Sequence, residues 1–152
     1  MRYLIIDTWN GQGYTESGIV DDITFKDTTE SNARYLALNK VREEFAMRYL
    51  PHADDQQVKV TRTENAIHAD EGDDQGAIHA LKVESNHYGL VIRTDTNYVK
   101  LLTADGFIAQ YEGTLESLEG DRDERLQFIE EMFEKGNAGA YTDIGYEILY
   151  KL

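Results

Sequence analysis

A chain of 152 residues is long enough for one domain with a real core, burying roughly 68–70% of the unfolded chain's surface. It contains no cysteine, which excludes disulfides, thiolate nucleophiles and Cys-ligated zinc. Fifteen Lys and Arg against 29 Asp and Glu give a net charge of −14, which argues against direct binding to nucleic acid or to an anionic membrane.

Hydrophobic residues make up 41% of the chain and charged residues 29%, a globular composition. Before Asp7 the only apolar run is YLII, too short for a signal-peptide core. No stretch approaches the roughly 18 apolar residues of a membrane span. The expectation is a soluble, cytoplasmic protein of one α+β domain over 1–152, mostly antiparallel sheet of about six to eight strands with two helices.

RYLIIDTW predicts a strand over 2–9. Asn10-Gly11 follows as a hairpin signal, because both residues tolerate the positive φ of a type I′ turn. A broken second strand is expected within 12–26. The NGQG turn is no phosphate cradle, since TESG and a strand follow it and not a helix N-terminus. The first helix is expected over about 28–50, capped by Asp27 with Glu30 three residues on. Its apolar stripe is Leu38, Val41, Phe45 and Tyr49, and Pro51 ends it.

From 57 to 112 the texture changes to β-rich runs: VKVTRTENAIHA, GAIHALKVE, YGLVIRT, NYVKLLT and GFIAQYE. Turn residues separate them, so an antiparallel meander of five strands is expected. A second helix follows at about 121–135, with Asp121 and Glu124 as a cap pair and Leu126, Ile129 and Phe133 as its stripe. GYEILYKL predicts a last strand over 145–151.

The tetrapeptide AIHA occurs at 66–69 and again at 77–80. With Asp73 and Asp74 as the central turn residues, His68 falls directly opposite His79 on one face, with Asp70 beside it. Opposed Cβ atoms lie about 4.5–5.5 Å apart. This is close enough for His68, His79 and Asp70 to share zinc or manganese, as in a small metal-assisted enzyme or a small-nucleotide-binding protein. A plain hairpin explains the same residues, because Asp-Asp is a poor type I′ turn and opposed histidines need no metal.

Catalytic signatures are missing: there is no Gly-Lys-Ser/Thr, GxSxG or HExxH. None of His52, His68, His79 and His87 is followed two residues later by Ser or Thr, and no lysine has an acid two positions before it. The adjacent acids at 21–22, 54–55 and 73–74 read as solvated turn residues.

One segment stands apart. Between Glu112 and Glu134 lie Glu112, Glu116, Glu119, Asp121, Asp123, Glu124, Glu130, Glu131 and Glu134 against Arg122 and Arg125 alone. On a helix, carboxylates three or four apart sit about 5–6 Å from each other. Such a surface suits the nucleic-acid-binding groove of another protein. The leading expectation is therefore a non-enzymatic inhibitor, of the DNA-mimic or phage anti-defence type, that occupies a basic nucleic-acid-binding protein or defence complex through Glu112, Glu116, Glu119, Asp123, Glu124, Glu130, Glu131 and Glu134. Trp9, Tyr14 and Tyr111 flank expected turns or strand ends and are candidate exposed anchors.

Overall fold

A strand buried on both faces reads as a continuous apolar run, and β1 (Arg2–Asn10) is such a strand, buried without a break from Tyr3 to Trp9. It lies inside a five-stranded sheet of order β2-β1-β5-β4-β3, formed with β2 (Gly18–Thr24), β3 (Lys59–Arg62), β4 (Ala66–Asp70) and β5 (Gln75–Val83). The computed structural model describes residues 1–11, 17–50, 58–72, 74–93, 95–111, 120–121, 123–125, 127 and 147–152. The fold is α+β, with every described strand pairing antiparallel. It divides into two units, Met1–Val83 with Thr94–Asn97, and Glu84–Arg93 with Tyr98–Leu152.

In the first unit, α1 (Glu30–Arg48) packs on one face of the five-stranded sheet. Ala33, Ala37, Val41, Phe45 and Tyr49, each four residues on from the last, meet Tyr3, Ile5 and Trp9 of β1, Ile67 and Ala69 of β4, and Ile78 and Ala80 of β5. The expected stripe holds at Val41, Phe45 and Tyr49; Leu38 is only partly buried, and Ala33 and Ala37 extend the line instead. Small residues there let the helix backbone approach the sheet. The cap is Thr29, whose hydroxyl accepts the Asn32 N–H at 3.1 Å. Asp27 sits at φ +53 outside the helix, and Glu30 pairs with Lys82 at 2.7 Å and not with the cap.

The two-residue hairpin at Asn10-Gly11 is not formed. Asn10 still pairs with Gln75, and Asp7 already pairs with Gly18, so a longer connection joins β1 to β2. The expected break in β2 is a register irregularity opposite Ile5 and Ile6. Asp21 and Asp22 lie within this strand and not in a turn. Asp21 faces Lys40 at 3.7 Å, and Asp22 binds Arg2 at 2.8 Å. Trp9 is 7% exposed, so it is a core residue and not a surface anchor. Tyr14 and the side chain of Tyr111 lie outside the described residues.

The 57–112 run is a meander only through β3, β4 and β5, after which β5 pairs with β1. VKVTRTENAIHA contains two strands, because the Thr63 N–H turns back to the Ala66 carbonyl at 2.9 Å. In the second unit, β6 (Gly89–Arg93) is the centre of a three-stranded sheet between β7 (Tyr98–Leu102) and β8 (Glu147–Lys151). β8 matches the strand expected over 145–151. The stretch expected as a fifth strand, GFIAQYE, is instead helix α2 (Ala104–Tyr111). Thr103 caps it through the Gly106 N–H at 3.1 Å, and its carbonyl takes the Phe107 N–H at 3.0 Å. The buried Phe107 ring meets Tyr88 edge-on at 5.9 Å, a contact that outweighs the strand propensity of Phe and Ile. Among the described residues no helix is long and apolar enough to cross a membrane.

Candidate functional site

The two AIHA copies form the adjacent arms of β4 and β5, joined by a turn over 71–74. Glu71 N–H donates to the Asp74 carbonyl at 2.9 Å, Gly72 takes φ +89, and Asp70 Oδ1 accepts the Gly72 N–H at 2.9 Å. This longer turn shifts the pairing by two residues from the expected one: His68 lies opposite Ala77, and His79 opposite Ala66. A shift of two keeps every side chain on its face. The histidines therefore still meet, diagonally, with ring centroids 5.7 Å apart and planes at 84°. Asp70 shares the face but stands opposite Gln75.

His79 is 5% exposed, and its Nε2 lies 3.0 Å from the Thr8 hydroxyl on β1. That hydroxyl also lies 3.5 Å from the Ala77 carbonyl. Burial, and secondarily the charge of His68, pushes the His79 imidazole down to about 4. Burial also lowers His68. Both rings are thus neutral at neutral pH, the form that ligates metal. Among the described residues, however, no group of three His, Asp or Glu is placed to hold a metal ion. What the arrangement does is satisfy a buried imidazole with a neutral hydroxyl partner.

On the opposite, helix-covered face lies a charged cluster that the sequence reading missed. Asp7 is fully buried and accepts a hydrogen bond from the Tyr49 hydroxyl, which also lies 3.1 Å from the Thr8 carbonyl. Arg48 Nη1 stands 3.6 Å from Asp7 Oδ2, and Arg48 Nε donates to Glu44 at 2.9 Å. A signal was available: strand parity puts Asp7 on the face of Tyr3, Ile5 and Trp9, so a carboxylate was bound to enter the core. Tyr49→Phe removes one donor from a buried carboxylate and is expected to cost about 2 kcal/mol. Urea unfolding monitored by circular dichroism checks this, and a loss below about 0.5 kcal/mol would mean that Asp7 does not depend on the hydroxyl.

Of the acidic segment, Asp121 Oδ1 accepts the Glu124 N–H at 3.0 Å, and residues 123–125 and 127 are helical. The expected cap at Asp121 is therefore present, and Asp123 and Glu124 are exposed on that turn. Glu112, Glu116, Glu119, Glu130, Glu131 and Glu134, with most of the helix expected over 121–135, lie outside the described residues. Comparison with protein-family models, curated proteins and solved structures finds no match to this chain.

Proposed function

We propose that this chain is a non-enzymatic, acidic binding protein that occupies the nucleic-acid-binding surface of a basic partner, such as a nuclease or a defence complex. The observation that supports this reading is how its charge is spent. The chain carries −14, and five of the described cations sit on acids. Arg2 pairs with Asp22, Arg34 with Glu64 at 3.1 Å and Lys82 with Glu30 at 2.7 Å. Lys40 lies within 3.8 Å of Asp21, Glu43 and Glu44, and Arg48 bridges Glu44 and Asp7. The exposed pairs among these add little stability. They do leave the remaining carboxylates, including the run from Glu112 to Glu134, to set the outward field. A negative field speeds encounter with a basic groove and makes binding sensitive to salt.

Immobilised protein is expected to retain a basic nucleic-acid-binding protein at about 0.05 M salt and to release it at about 0.3 M, as the Debye length falls from above about 10 Å to below it. Duplex DNA should displace the captured protein. The triple reversal Glu130→Lys, Glu131→Lys and Glu134→Lys is expected to abolish capture while circular dichroism stays unchanged. Full retention by the reversed protein would reject the reading.

A further inference from the structure

A cleft of about 300 Å³ opens on the His68 side of the five-stranded sheet. Thr61 from β3, His68 and Asp70 from β4, Gln75 from β5, and Thr96 and Asn97 from the turn after β6 line it. Strand register places the first four on one face, with Thr61 opposite His68 and Asp70 opposite Gln75. Asn97 is 7% exposed at φ +53, and its Oδ1 is buried with no hydrogen-bond partner among the described residues. Native folds seldom leave such an atom unsatisfied. The described lining holds one carboxylate, Asp70, and no Lys or Arg. One Asp70 oxygen takes the Gly72 N–H, and a carboxylate has acceptor sites to spare beyond that bond.

We propose that this cleft binds a small organic cation, an ammonium or guanidinium head with several N–H donors. The acceptors decide the class. Asp70, the Asn97 carbonyl and a neutral His68 ring ask for donors, and no cation is present to receive a phosphate. The size fits as well, because ligand pockets run from roughly 300 to 1,000 Å³. The net charge of −14 concentrates cations at the surface, and Asp70 fixes where one docks. This site is independent of the acidic segment and stands whether or not a protein partner is found.

Agmatine, glucose and inorganic phosphate serve as probes, each titrated into isotope-labelled full-length protein and followed by NMR. Agmatine is expected to give saturable shifts confined to the Asn97 and Gln75 side-chain amides and the His68 ring. Asp70→Asn should weaken it roughly tenfold, the loss of one charge-assisted contact. Asn97→Asp, which tolerates the positive φ and adds a second carboxylate, should bind at least as tightly. Shifts scattered over the acidic surface and unchanged by Asp70→Asn would overturn the proposal, as would saturation by glucose or phosphate in place of agmatine. A well-dispersed spectrum for each variant shows that the loss is not one of fold.

Discussion

Gly76→Ala is expected to lower stability by about 3 kcal/mol, the upper part of the usual range for overpacking a core. Gly76 is a buried residue of β5, paired with Trp9 on one side and Ala69 on the other. A Cβ at this position would stand 2.6 Å from Trp9 Cε3, Tyr49 Cε1 and the Tyr49 hydroxyl. Neither ring has room to retreat. Tyr49 is held by Asp7 and by the Thr8 carbonyl, and it packs on Trp9 at 5.7 Å and Phe45 at 5.2 Å. Moving Tyr49 aside would also take the hydroxyl away from the buried Asp7, so the methyl group costs more than its volume. For a chain of this size the midpoint should fall by roughly 6–12 °C. Trp9 is the only tryptophan, so its fluorescence reports the site directly. Gly72→Ala is the control: nothing lies within 4 Å of its Cβ, and only the φ of +89 opposes the change, at about 1 kcal/mol. Equal stability of wild type and Gly76→Ala would show that the Trp9–Tyr49 packing yields.

Acidification from pH 6.5 to 4 is expected to remove about 3 kcal/mol through His79 alone, taken from the gap between its ordinary value and the about 4 of the buried ring. The unfolded chain takes up this proton near pH 6.5, whereas the folded protein resists until about 4. Between those values the unfolded state binds more protons, so stability rises with pH across the window. The contribution is complete above the unfolded value and is lost as pH falls through the window; below it, nothing further changes. Lowered His68 acts in the same direction. Carboxylates titrate near the lower end and relieve repulsion in so acidic a chain, which opposes the trend. The quantity to measure is therefore the difference between wild type and His79→Gln, from urea unfolding at pH 7, 5.5 and 4.5. The difference should shrink steadily as the pH falls. A difference independent of pH would mean that water reaches the ring and that His79 is not held neutral by burial.

Several elements were legible without any tertiary information. β1, the span of α1, β8 and the AIHA hairpin follow from local periodicity and turn residues, which the chain encodes within a window of a dozen positions. So does the sharing of one face by His68 and His79, because strand parity survives a shift of two. The same degeneracy hid the register. Both pairings bury the same residues, and only the geometry of the Glu71–Asp74 turn separates them. Gly76 opens the expected β-run GAIHALKVE, but the demand for a glycine there comes from Trp9 and Tyr49, which lie 67 and 27 positions away in the chain.

The candidate cleft shows the limit most plainly. Its walls come from β3, β4, β5 and the turn at Asn97, and nothing in the spacing of Thr61, His68, Gln75 and Asn97 announces that they meet. By itself the sequence determined the α+β class, the outline of most elements and the acid surplus, because propensity, periodicity and charge are local or additive properties. Only the tertiary structure decided that 104–111 is a helix, that the strands divide between two sheets, and that Asp7 is buried against Tyr49. Those outcomes depend on which distant side chains compete for the same buried space, and burial of that kind outweighs the smaller free energies of local propensity.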